Sequence, residues 1–238
     1  MSTGFVAALG TDRSSLLGSC AIFQQRHILL TAAHCIPDDT ALELVAVLPG
    51  DVGARRIREV VLHPAADLAV AFLEPQDPEP LAPQVFTDVD STLTEGGDFY
   101  AFGYPVEGTG KPVGRFFKGH FQRYFEYEDS SGRNYFAGEL SIPAPGGLSG
   151  GPVSAAHSPN RLAAIVTANV ESYVIVDSVS EVDDDGKQYR EESRRVISYG
   201  IAAMLTGHGP WIRSVIDTEV AAGDGGGFPL RREVPLPS

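Results

Sequence analysis

Apolar residues recur through the first third of the chain in short runs: FVAAL (5–9), CAIF and HILL within 20–30, LELVAVL (42–48), IREVVL (57–62) and LAVAFL (68–73). These runs alternate with polar positions or are rich in β-branched residues, a pattern that suits pleated strands. The glycine, proline and aspartate between them end strands and make turns. The pattern predicts one small antiparallel β-barrel over residues 1–90. Its last part, Glu74 to Gln84, carries four prolines. These remove backbone donors and favour an extended linker.

The same rhythm resumes in FYAFGYP (99–105), RFFKGHFQRYFEY (115–127), YFAGELS (135–141), GGPVSAA (150–156), LAAIVTANV (162–170) and RVISYGIAAM (195–204). A second barrel over 91–223 follows. One helix is expected at its end, Pro210 to Ala222, with proline in the first turn, Trp211, Ile212, Val215 and Ile216 on one face, and Gly223 as the stop. Residues 224–238 lack periodicity and read as a flexible tail. The charged stretch 171–195, which includes Glu181, Asp183, Asp184 and Asp185, reads as a long exposed loop between two apolar strands.

Composition narrows the partners. The 238-residue chain has a formal charge of -13 and a pI near 4.8. Nucleic acid and anionic membranes would be repelled, so a protein or peptide partner fits better. No segment reaches the roughly 18 continuous apolar residues of a membrane span, and Met1 to Gly10 has no basic region leading into an apolar one. The expected location is therefore cytoplasmic. Cys20 and Cys35 have no zinc-type spacing, and His63 and Asp67, four apart, sit in strand rather than helix pattern. No metal and no organic cofactor are expected, and His27, His120, His157 and His208 carry no assigned chemistry.

Three motifs carry the chemistry. TAAHC (31–35) ends an apolar strand with His34, AADLAV (65–70) places Asp67 before another, and APGGLSGGPV (144–153) holds Ser149 among glycines. Alone, His34 reads equally as a buried structural histidine and Asp67 as a turn cap. Together, in the order His, Asp, Ser, and with AIVTAN (164–169) and SYGIA (198–202), they resemble the chymotrypsin and trypsin family of serine proteases. FGYP (102–105) and SYGIA resemble its bacterial trypsin-like branch. The resemblance implies an all-β fold of two six-stranded antiparallel barrels with a C-terminal α-helix, and a serine endopeptidase.

A serine hydroxyl is a weak nucleophile until a neutral imidazole takes its proton, and that is the role implied for His34. A carboxylate on the other ring nitrogen fixes the tautomer; losing it costs roughly 10^4-fold in related triads. Asp67 fills that role. The tetrahedral intermediate needs two converging N–H donors, which the family pattern assigns to Gly147 and Ser149. The resemblance also places substrate-binding positions at Pro143, Ala144, Thr167, Ala168 and Asn169. With no acid at Pro143, a small or moderately apolar side chain is expected, although an acidic loop near the cleft would favour basic substrates.

The chain departs from the digestive and blood proteases at Leu148, where those enzymes carry an aspartate that pairs with a new terminus made by clipping. Activation by N-terminal clipping is therefore not expected, and a protein partner that orders the oxyanion loop is a candidate regulator. Family likeness also suggests a Cys20 to Cys35 disulfide, against which stands the expected reducing compartment. The rival to catalysis is a silent, protease-like binding or scaffold module.

Overall fold

Strands whose two faces are both buried account for the continuous apolar runs. On β2 (Ser14–Ile22), Cys20 and Ile22 enter one core while Ala21 enters another. The same alternation divides Ala69, Ala71 and Leu73 from Val70 and Phe72 on β6 (Ala69–Leu73). A strand buried on both faces has no polar side to show, which is why HILL and LAVAFL read as unbroken apolar segments.

The computed structural model describes residues 3–9, 14–39, 42–51, 53–76, 85–92, 94–106, 113–182, 187–222 and 231–233. With β1 (Thr3–Leu9), β3 (Ile28–Thr31), β4 (Glu43–Val47) and β5 (Arg55–Leu62), these strands form the order β5-β4-β1-β2-β3-β6, and β5 pairs with β6 to close the barrel. After the short β7 (Asp88–Val89), the second barrel uses β8 (Asp98–Gly103), β9 (Arg115–Glu128), β10 (Asn134–Leu140), β11 (Pro152–Ala155), β13 (Ala164–Val182) and β14 (Gln188–Met204). It closes in the order β10-β14-β13-β11-β8-β9, and β12 (Arg161–Leu162) pairs in parallel with β7 outside it. These are the two six-stranded antiparallel barrels expected.

Each barrel has its own interior cluster, and a third cluster fills the seam between them. Phe23, Ile28 and Val70 of the first barrel meet Tyr135, Ile165 and Ile201 of the second there, together with Trp211, Ile212, Val215 and Ile216 of α1 (Gly209–Ala222). The helix docks by the face its spacing marked out. Burying a side chain of this size contributes roughly 1.5–3 kcal/mol, so the docked helix is firmly held.

Two expectations need correction. Residues 171–195 are not a loop: β13 and β14 extend through them as an antiparallel ladder from Glu171↔Ser198 to Val182↔Gln188. Their charges sit on both faces of a ribbon that leaves the barrel, so no burial alternation marks it as strand. Nor is 224–238 a tail throughout, because Arg231–Glu233 (β15) runs parallel to Val60–Leu62 of β5. Residues 77–84 of the proline segment, Asp183 to Asp185, and the rest of 224–238 lie outside the described residues. Among the described residues, no helix is long and apolar enough to cross a membrane.

Candidate active site

His34 sits in a 3-10 turn, Ala33–Cys35, that stops β3 just past Thr31. Asp67 is buried in the connection from β5 to β6. Its Oδ2 lies 2.6 Å from His34 Nδ1, and its Oδ1 accepts the His34 backbone N–H at 2.9 Å. Two bonds to one residue fix both the turn and the ring. Burial disfavours the imidazolium, but hydrogen bonds to Asp67 and Cys35 outweigh it and push His34 up to about 10. The Nε2 edge faces the Cys35 sulfur at 3.8 Å. Among the described residues no hydrogen bond joins it to Ser149.

The Asp67 connection is tied down by a histidine the sequence left without a role. His63 Nδ1 accepts the N–H groups of Ala65 and Ala66 at 3.1 and 2.8 Å, so its proton is on Nε2. That proton points to His208 Nδ1 at 3.0 Å, and the ring packs edge-on to Trp211. Burial, joined by the neighbouring His208, holds His63 down at about 4. The base of α1 thus supports the loop that carries Asp67.

Ser149 lies in the turn between β10 and β11. Gly147 and Gly150 have φ of +87° and +82°, and a Cβ on Gly150 would come within 2.2 Å of both Ser19 O and Thr31 Oγ1. Only glycine lets the turn pass there. The loop is knit to both barrels: Gly150 N–H donates to Val166 O at 2.8 Å, and Ser19 N–H donates to Ser149 O at 2.7 Å. The Ser19 hydroxyl donates to Gly147 O at 2.7 Å while accepting from Tyr104 N–H at 2.9 Å. The N–H groups of Gly147 and Ser149 have no backbone acceptor among the described residues, and the Gly146 carbonyl is turned to Val106 N–H at 2.8 Å. Leu148 is fully buried in the second barrel's core.

Gly18 explains how the two barrels come close enough. A Cβ there would stand 2.4 Å from Cys35 Sγ and 2.7 Å from Ser149 O, so β2 threads between the histidine turn and the serine turn only as bare backbone. Cys20 and Cys35 are both free thiols, so the bridge suggested by family likeness is not formed. They face different clusters, Cys20 the first barrel's interior and Cys35 the seam, and burial pushes the Cys20 thiol up to about 12.

Of the positions assigned to substrate binding, Ala144 and Asn169 meet, the Ala144 N–H donating to Asn169 Oδ1 at 3.0 Å. Pro143 is exposed and Ala168 half-buried. Thr167 is buried, its hydroxyl accepting from Tyr135 at 3.1 Å and reaching Ile201 O at 3.3 Å. Sequence reasoning missed Arg133, whose guanidinium lies 3.1 Å from Asp67 Oδ1 and 2.8 Å from Asp129 Oδ2. Nothing in the sequence links the turn between β9 and β10 to the aspartate motif so far upstream. Among the described residues, no three or more His, Cys, Asp or Glu side chains converge in a way that could hold a metal ion.

The trypsin-like peptidase domain family matches residues 18–165, more than half of the chain. The chain belongs to this family. Among solved structures it is similar to the active form of the Rv3671c protease from M. tuberculosis, at 14% identity and a TM-score of 0.58, over 87% of this chain and 78% of that one. It is also similar to the MamO protease domain from Magnetospirillum magneticum, at 18% identity and 0.58, over 92% and 95%. The HtrA-type protease AlgW, solved with a tripeptide, is similar at 19% identity and 0.59, over 92% of this chain and 61% of that one. At these identities the likeness is one of fold. No curated protein matches the chain in sequence.

Proposed function

We propose that this trypsin-like peptidase is a serine endopeptidase acting through Ser149, His34 and Asp67. The observation that carries the reading is the pair of bonds from Asp67 to His34, one to the ring and one to the backbone, beside a serine held in a glycine turn. Ser149 Oγ attacks the scissile carbonyl while His34 Nε2 takes its proton, and the same ring returns it to the leaving amine. The acyl-enzyme on Ser149 is then released by water along the reverse path. The amides of Gly147 and Ser149 receive the charge on the carbonyl oxygen, each such donor being worth roughly 10^2 to 10^3 in rate. The hydrogen bond between His34 and Ser149, not made in the free chain, forms on substrate binding, as is common for catalytic contacts that are loose in free enzymes. The segment 143–146 and residues 167–169 of β13 hold the side chain before the scissile bond, with a small or apolar group preferred over a basic one because Pro143 brings no charge.

Intact-mass analysis after exposure to a fluorophosphonate tests the reading. The expected result is a single adduct on the wild type, absent in Ser149→Ala and in His34→Ala. An adduct that survives Ser149→Ala would place the nucleophile elsewhere and overturn it; none on the folded wild type would overturn it in favour of the binding module.

A further inference from the structure

The ribbon made by β13 and β14 runs out past the other described strands. Beyond the barrel its two strands pair only with each other among the described residues, since β11 reaches only Ala164 and Ile165 of β13, and β10 only Gly200 to Ala203 of β14. Two-stranded ribbons are marginal in water, and three or more strands are needed for independent stability. Among the described residues both outer edges carry unpaired backbone groups, which template the addition of another strand. The ribbon also holds nine of the twelve large hydrophobic side chains exposed among the described residues, which marks it rather than the barrels as the contact surface.

Its charge order says which strand is added. β14 reads Glu191-Glu192-Ser193-Arg194-Arg195, so the sign of charge inverts through Ser193. We propose that the outer edge of β14 pairs antiparallel with the same edge of a second copy of this chain, with the two-fold axis at Ser193. The two ribbons then form one four-stranded sheet. In that register Glu191 stands opposite Arg195 of the second copy, Glu192 opposite Arg194, and Tyr189 opposite Ile197. Opposite charges and aromatic or β-branched pairs at directly facing positions are the contacts that stabilise sheets.

The two faces of the ribbon support the register in different ways. Glu192 and Arg194 share one face, where Glu192 already bonds Arg194 at 2.9 Å and Arg190 at 3.0 Å and where Arg194 covers the Tyr173 ring. Glu191 and Arg195 share the other face, opposite Val179 and Val174 across the ladder, and among the described residues they make no ion pair or hydrogen bond. The second copy supplies what these two lack. An interface that uses one patch twice is the isologous arrangement of two-fold dimers. A parallel or unrelated strand would set like charge against like or leave both unmatched.

Sedimentation velocity on the full chain, at several concentrations and in low and high salt, tests the proposal. The wild type should sediment as a dimer that weakens in salt. E191R/E192R and R194E/R195E should each be monomeric with unchanged far-ultraviolet circular dichroism, and an equimolar mixture of the two should return to a dimer. Mild oxidation of Ser193→Cys should give a covalent dimer, because the axis passes beside that residue. A monomeric wild type, a dimer indifferent to both charge reversals, or a mixture that stays monomeric would overturn it; a monomer would point to a different protein as the partner.

Discussion

Arg133 reaches across the seam to Asp67, its guanidinium 3.1 Å from the carboxylate that orients His34. Asp129 holds that arginine from behind at 2.8 Å. The cation offsets the charge that Asp67 directs at the imidazole, and so limits how far His34 is raised. A general base works only when neutral, so the labelling rate of Ser149 should rise with pH through an inflection above the ordinary histidine value of about 6.5. Arg133→Ala should move that inflection further toward alkaline pH and slow labelling near neutrality by roughly tenfold, the equivalent of about one pKa unit. Arg133→Lys should recover part of the shift. The check is a pH profile of fluorophosphonate labelling for the three proteins; equal inflections would mean that Arg133 serves only packing.

Ser19 bridges two backbone groups of the second barrel from a strand of the first. Replacing it by alanine leaves the Gly147 carbonyl and the Tyr104 amide unpaired, at a cost of about 1–3 kcal/mol. The freed carbonyl also loosens the backbone at Gly147, a residue whose amide is one of the two proposed oxyanion donors. Ser19→Ala should therefore lower the urea midpoint and reduce kcat more than KM, measured on any peptide the wild type cleaves.

Gly150→Ala should be worse than an ordinary loop substitution. Its φ is left-handed, and the new Cβ meets the Ser19 carbonyl and the Thr31 hydroxyl at impossible distances. A loss above about 2 kcal/mol, together with loss of labelling, is expected. Gly132, also at positive φ but with nothing near its Cβ, is the control: Gly132→Ala should cost less and leave labelling intact.

The neutral His63 makes the fold sensitive to acid. Held near 4 in the native state, it titrates near 6.5 when the chain unfolds. Below that upper value the unfolded chain takes up the proton first, so stability is complete above about pH 6.5 and is lost as the pH falls toward 4. Melting temperature should drop between roughly pH 6.5 and 5, before most carboxylates titrate, and His63→Asn should flatten that part of the curve.

Much of the site was legible because its residues border strands whose burial forced a readable pattern. TAAHC and AADLAV announce themselves at the ends of apolar runs, and the positive φ of Gly147 and Gly150 is what the glycines around Ser149 foretold. Arg133, Ser19 and His63 were illegible for the opposite reason. Arg133 and Ser19 act on partners brought near only by tertiary folding, and His63, which bonds its own loop, is set there by His208 and Trp211 from the far end of the chain, separations that no local periodicity records. The β13–β14 ribbon was misread because strand signals assume one buried face. VESYVIVDSVSEV is rich in β-branched residues, but with both faces in solvent its charges outweighed them.

Leu148 fixes the residue before Ser149 in oil rather than by a charge. In enzymes with an aspartate there, the loop waits for a cut elsewhere in the chain to release its counterion. Here the anchor is the packing of a leucine against the second barrel's own interior, which is complete the moment that barrel forms. Folding of the second barrel and anchoring of the position before Ser149 are therefore a single event, with no counterion to be released in between.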